Sequence, residues 1–335
     1  MKILLTGATG FLGFRTLEVL AQMPEVTTIV ATGRTLKPTH TVTHDKISYQ
    51  LGDLTDYRFV QNLVNQVNYI IHAAALSAPW GSFSTFEAAN ITTQQNLLKA
   101  AQQSAVPHLI KRIVYISTPS IYYNGQDRLQ VNESDPLPYK FVNAYATTKR
   151  QAEIMLEQSG IPYVILRPRA LIGRGDTVIM PRLLRAYEAG RLKIIGNGQN
   201  QVDLTSVANV AQAIVLSLKV NEAGLDQTYN ITNGNPVYLW EKIRMVLELM
   251  GKQLPPKKVP RWLVAQVAQW MEWKARLTQG PEPTLTKYGV GTLSQSFTLN
   301  ISKAKKLLGY VPQVSTDEAI REFVVWYQKQ GKIKS

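Results

Sequence analysis

The chain has 335 residues, 45% of them hydrophobic and 18% charged, which suits a soluble globular protein of one large domain or two interwoven ones. It lacks Cys, so disulfides, thiolate metal sites and a Cys nucleophile are excluded, and its four His residues (His40, His44, His72, His108) form no HExxH pattern, so no metal is expected. The net charge of +14 admits nucleic acid, anionic lipid or an acidic small molecule as partner, but Lys and Arg are scattered and no nucleic-acid motif is found, which sets nucleic acid aside.

Residues 2–6 read as a buried strand that turns at Gly7 to Gly13 into a helix continuing to about Gln22. The apolar run Ile3 to Leu5 is too short for a signal peptide or a membrane span, so a cytoplasmic protein is expected. Further strands are predicted at 26–31, 47–50, 69–73, 113–116 and 163–166, with helical patterns near 57–66, 84–104 and 144–159. Strands alternating with helices predict a Rossmann-type, doubly wound parallel α/β sheet with its crevice at the strands' carboxyl ends. After Arg167-Pro168 the alternation loosens, and 207–219 and 227–231 read as a helix and a strand returning to the sheet. The expected division is therefore a dinucleotide-binding domain over 1–171 and 203–232, with a smaller interwoven substrate domain over 172–202 and 233–335.

Gly7, Gly10 and Gly13 give GxxGxxG between strand and helix. Glycine permits the tight turn and close approach, while the helix N-terminus offers N–H groups to a pyrophosphate. Thr9, Phe11 and Leu12 share this turn and are cofactor candidates with it; the competing account is glycines that only pack helix on sheet. Arg34, after the second strand, stands where an NAD site commonly places an acid, so NADP(H) is favoured and NAD(H) kept as the alternative. Asp53 can accept a hydrogen bond from an adenine amino group while Leu54 packs on the ring, or Asp53 can serve as a helix N-cap. The small residues Ala73, Ala74 and Ala75 after His72 let backbone lie close to a cofactor.

Thr118 ends the fifth strand, where its hydroxyl can hold a substrate oxygen or cap a turn before Pro119. Tyr145 and Lys149, four residues apart, share a helix face, so the ammonium is expected to approach the phenol and favour its deprotonated form. Together they form a candidate proton-transfer set.

The motifs TGATGFLG (6–13), HAAA (72–75), STPSIYY (117–123), YATTK (145–149) and RPRALIGRGD (167–176) resemble those of the extended short-chain dehydrogenases/reductases over nearly the whole chain. The resemblance implies Tyr145 as general acid/base, Lys149 on the nicotinamide ribose, Thr118 in the family's Ser/Thr position, and Asn90 and Pro168 beside the cofactor. Segments at 80–82, 178–183, 196–203 and 308–312 are similar to the 3β-hydroxysteroid dehydrogenase-like branch, especially sterol 4α-carboxylate 3-dehydrogenases and bacterial 2-alkyl-3-ketoacid reductases of olefin synthesis. It also implies a homodimer paired through the helices near 84–104 and 144–159. The expected activity is interconversion of a ketone and a secondary alcohol on a lipid-like or acidic small molecule. A nucleotide-sugar epimerase or dehydratase and a non-catalytic NADP(H) sensor are the alternatives.

Trp80 and Tyr122 are candidates to line an apolar substrate channel, and Arg169, Arg174 and Arg182 to meet a substrate carboxylate. The stretch 259–278 holds Trp262, Trp270 and Trp273, which can rest at a membrane interface or cover the second domain's core or pocket.

Overall fold

Strands covered on both faces need apolar residues at every position, and the first half of the chain supplies such runs. The computed structural model describes residues 1–103, 110–278 and 280–333; His108 and residue 104, the last of the helix expected over 84–104, lie outside them. Seven strands form the main sheet: β1 (Lys2–Thr6), β2 (Thr28–Thr32), β3 (Ile47–Tyr49), β4 (Tyr69–His72), β5 (Arg112–Ile116), β6 (Tyr163–Pro168) and β7 (Gln227–Ile231). Their order is β3-β2-β1-β4-β5-β6-β7, and every neighbouring pair is parallel. This is a Rossmann-type doubly wound sheet.

Alternate side chains feed opposite faces. Ile3, Leu5, Ile29, Ala31, Ile71, Val114 and Leu166 join the core beneath helices Phe11–Ala21 and Val207–Lys219. Leu4, Val30, Ile70, Ile113, Tyr115 and Ile165 join the core beneath Tyr57–Val64, Thr93–Gln102 and Ala144–Glu157. The strand order reverses between β1 and β4, which opens a crevice at their carboxyl ends, where Thr6 faces His72.

The smaller unit has its own four-stranded sheet, built from Val237–Tyr238, Gln201–Val202, Phe297–Leu299 and Arg128–Val131 in that order. Its core gathers Met180, Leu184, Trp240, Ile243, Leu247, Ile320 and Phe323. Two segments cross the division expected from the sequence. Arg128–Val131 leaves the first 171 residues to pair with Phe297–Leu299, and Ile301, Ala304, Leu308 and Tyr310 return to the main sheet's core. The Tyr310 hydroxyl donates to the Thr232 carbonyl at 3.0 Å and fixes that return.

A buried ion pair fastens helix Ala144–Glu157 to β6. Arg167 donates from Nε to Glu153 Oε1 at 2.8 Å and from Nη2 to Oε2 at 2.7 Å. Arg150 adds a contact to Glu153 at 2.9 Å.

Candidate active site

The three glycines of the first loop do different work. A Cβ on Gly7, whose φ is +69°, would lie 2.7 Å from the Ala74 nitrogen, and one on Gly13 would lie 2.1 Å from the Gly7 carbonyl oxygen. Both are therefore demanded by packing of β1 against the β4 loop and the first helix. Gly10 is less enclosed: its Cβ would meet only the Gly7 oxygen, at 3.2 Å. It is also the N-cap of helix Phe11–Ala21, with no side-chain acceptor and no acid in the first turn. The free N–H groups and positive dipole end thus suit a pyrophosphate, and the loop fits a dinucleotide. Thr9 packs its side chain where a Cβ on Gly33 would fall, while Phe11 and Leu12 are partly buried.

Around the crevice, Thr6 Oγ1 meets His72 Nδ1 at 2.7 Å and accepts from the Ala74 N–H at 3.1 Å, which holds the ends of β1 and β4 together. Burial, with the nearby Lys149 charge, pushes His72 down to about 3, so it is neutral. Ala73 and Ala74 are half-buried and Ala75 is exposed. Arg34 is exposed, and its charge contributes to lowering Asp53, although the larger cause there is the hydrogen bonding of Asp53 to Thr55. Asp53 accepts from the Thr55 N–H at 2.9 Å, whereas Asp56 caps the following helix, so the N-cap alternative for Asp53 falls away. Leu54 belongs to the core beneath the sheet, and Pro168 is buried at the end of β6.

Asn90 lies in a π-helical segment, Glu87–Thr92, that disturbs the α-helical register and turns its amide inward. Asn90 Oδ1 accepts from the Leu76 N–H at 2.9 Å, and its Nδ2 donates to Thr148 Oγ1 at 3.0 Å. It thereby ties the loop after β4 to helix Ala144–Glu157.

That helix starts at Asn143, whose side chain accepts from the Ala146 N–H at 2.9 Å. Its first turn carries Tyr145 to the neighbourhood of Thr118 and Ser77; burial raises the phenol above its ordinary value, against the opposing pull of these two hydroxyls. Lys149 departs from expectation. Its ammonium donates to the Ile116 carbonyl at 2.6 Å and lies 3.9 Å from the Tyr115 ring centroid. Burial lowers it to about 7, against the opposing pull of Glu153. In this arrangement the phenol stays protonated and the lysine is close to neutrality.

Thr118 Oγ1 accepts from the Ser120 N–H at 3.2 Å and donates to Ser120 Oγ at 3.0 Å. Ser120 Oγ is 2.7 Å from the hydroxyl of Tyr288, a residue of the smaller unit. Hydrogen-bonded hydroxyls thus run from Thr118 through Ser120 to Tyr288, with Tyr145 close to the Thr118 end. Ser77, Ser120 and Tyr288 were not anticipated. Ser120 has a local signal, two residues past Thr118, whereas Tyr288 has none, because only the tertiary fold brings it here.

The substrate candidates divide. Tyr122 is fully buried, hydrogen-bonded to Asn230 Oδ1 at 3.1 Å and to Arg167, so it is a core residue and not a channel wall. Its neighbour Tyr123 instead stands edge-on to Tyr288, with ring centroids 5.2 Å apart. Arg174 is held by Glu18 at 2.6 Å and Glu322 at 3.5 Å, and Arg182 pairs with Glu282; both guanidiniums serve structural ion pairs. Arg169 lies over the Phe297 ring at 4.5 Å, and its buried Nε has no hydrogen-bond partner. Trp80 is half-buried, 5.7 Å from the Arg276 guanidinium.

Residues 3–232 match the model of the NAD dependent epimerase/dehydratase family. Among curated proteins, the chain is 31% identical over 331 residues to the 2-alkyl-3-oxoalkanoate reductase of Stenotrophomonas maltophilia, covering 96% of this chain and 98% of the relative. It is 30% identical to the decarboxylating sterol-4-alpha-carboxylate 3-dehydrogenase of Saccharomyces cerevisiae, covering 97% of each. Among solved structures, the Bordetella bronchiseptica enzyme WbmH in complex with NAD+ superposes with a TM-score of 0.76 at 19% identity, over 98% of both chains, a likeness of fold.

The lysine makes a measurable pH signature. A folded-state value lowered from 10.5 to about 7 means that below pH 7 the buried charge costs its full amount. Between about 7 and 10.5 the unfolded chain binds the extra proton, so this group makes stability rise with pH. Lys149→Met is expected to stabilise the cofactor-free protein by on the order of a few kcal/mol at pH 6.5, with the gain shrinking toward pH 10. Urea midpoints of both proteins across that range test it; a constant gap contradicts it.

Proposed function

The chain belongs to the NAD dependent epimerase/dehydratase family of extended short-chain dehydrogenases/reductases, and from that membership we propose that this NAD(P)-dependent enzyme reduces the ketone of a lipid-like 3-oxo acid with NADPH. The observation that carries the reading is the convergence of Tyr145, Thr118 and Ser77 at the carboxyl ends of the central strands, above a buried lysine. When bound, the nicotinamide supplies the hydride. Thr118 and Tyr145 hold the substrate oxygen, and Tyr145, kept protonated by its burial, gives that oxygen its proton as negative charge develops. Lys149 binds the ribose, whose hydroxyls offer the ammonium the partners that raise its affinity for a proton.

The names of the two curated relatives share one chemical pattern. Each puts an oxygen-bearing carbon next to the carbon that carries a carboxylate. A carboxylate needs a cation, and Arg169, with its unpartnered Nε at the end of β6, supports that role where Arg174 does not. Arg34 supports NADP(H) over NAD(H), as an exposed cation beyond β2 able to meet a 2′-phosphate. The same proposal includes a homodimer through the outer faces of Glu87–Gln102 and Ala144–Glu157. Ile154 on these faces and Phe83, in the helix just before them, are exposed around a shallow groove with Ile91 and Met155.

Tyr145→Phe is expected to leave NADPH binding intact and lower turnover by about 10²–10⁴-fold; a variant keeping most of its activity removes Tyr145 from the mechanism. Arg34→Ala should raise the KM for NADPH about tenfold with little change for NADH, and an unchanged cofactor ratio rejects the 2′-phosphate role. Sedimentation velocity at micromolar concentration should return twice the chain's mass; a single-chain mass excludes the dimer.

A further inference from the structure

The least protected apolar surface outside the crevice is helix Arg261–Leu277. Its inner side packs through Val264, Ala265 and buried Ala268. Its outer side leaves Trp262, Trp270 and Trp273 exposed at 64%, 59% and 60%, together with Leu263, Val267 and Leu277. At 3.6 residues per turn these six side chains fall within about 140° of the helix circumference, so they form one stripe. Indole is costly to leave in water at this density, yet suits the boundary between headgroups and acyl chains, where its N–H stays hydrated.

Charge selects among possible occupants. Residues 257–278 hold Lys257, Lys258, Arg261, Lys274 and Arg276 against the single acid Glu272. That acid is turned inward, accepting from the Lys287 N–H at 2.7 Å. A second copy of this strongly basic chain would bring like charges together, whereas an anionic lipid surface neutralises them. No helix among the described residues is long and apolar enough to cross a membrane, so the helix would lie in the plane of the surface.

We propose that Arg261–Leu277 docks the protein on anionic phospholipid membranes, with the Trp stripe in the headgroup boundary and the basic residues on the phosphates. The helix also adjoins the active site. Arg276 lies over Trp80, and Glu272 holds the N–H of Lys287, next to Tyr288, whose hydroxyl meets Ser120. Docking would therefore set the mouth of the site against the lipid phase. That consequence for substrate supply rests on the reductase reading; the docking itself does not.

The test is co-sedimentation with vesicles of phosphatidylcholine, with and without phosphatidylglycerol. The protein should pellet with the anionic vesicles, less with neutral ones, and be released by raising salt. Trp262→Gln/Trp270→Gln/Trp273→Gln should reduce partitioning roughly tenfold or more, and Lys257→Gln/Lys258→Gln/Lys274→Gln should abolish the preference for anionic lipid. Thermal melts establish that both variants are folded. Reduction of a short, water-soluble 3-oxo acid should match wild type, and its absence in wild type would count against the reductase reading while leaving docking intact. Wild-type protein that stays in the supernatant with anionic vesicles overturns the proposal. Equal binding by the Trp variant does so too, as does a halved solution mass in that variant, which would make the stripe a contact between copies.

Discussion

The bidentate contact between Arg167 and Glu153 sets the position on which the site depends. Glu153 is wholly buried, and a buried ion carries a desolvation cost of several kcal/mol unless its partners are well placed. Two bonds from Arg167 and one from Arg150 offset that cost only at one rotation of helix Ala144–Glu157 about its axis. Glu153, Lys149 and Tyr145 succeed one another every four residues and so share a face. The rotation that keeps Glu153 on Arg167 also turns Lys149 to the Ile116 carbonyl and Tyr145 to Thr118. A structural ion pair thus sets the aim of the candidate proton-transfer groups from two turns away.

The electrostatics of the pair differ from those of an isolated helix. Spacing alone suggests an ammonium beside a phenol, lowering it. In the fold, the lysine side chain reaches into the sheet, to a backbone carbonyl and an aromatic face, and burial dominates both groups. The phenol is held in its protonated form. The lysine, for its part, has much to gain from added hydroxyl partners, which is the state a bound ribose would create.

Most of the main sheet was legible because doubly covered strands must be continuously apolar and because glycine spacing marks the first turn. The central strands fall where those runs fall, whereas Gln227–Ile231, QTYNI, is not an apolar run. The cluster at 145–149 likewise announces itself locally. What escaped is long-range. Arg128–Val131 has no local mark that it will pair with Phe297–Leu299, and Tyr288 reaches Ser120 only because the smaller unit folds back over the crevice. Tyr122 and Tyr123 are indistinguishable by composition; the buried Arg167 selects the first for the core and leaves the second near Tyr288. Arg174 looked available for a carboxylate until Glu18 and Glu322, distant in sequence, closed on it. Local chemistry therefore marks the candidate proton-transfer set, while the surroundings of the substrate candidates depend on contacts that form only in the folded chain.

In the proposed reaction hydride passes from NADPH to a ketone and remains in the released product. The direct measurement incubates the protein with NADPH dideuterated at C4 of the nicotinamide and a 2-alkyl-3-oxoalkanoate, then locates the label by mass spectrometry. One deuterium is expected at C3 of the released alcohol for each NADPH oxidised. No label in any alcohol product, with UDP-sugars interconverted while bound NAD is retained through turnover, would contradict it and assign the same residues to an epimerase.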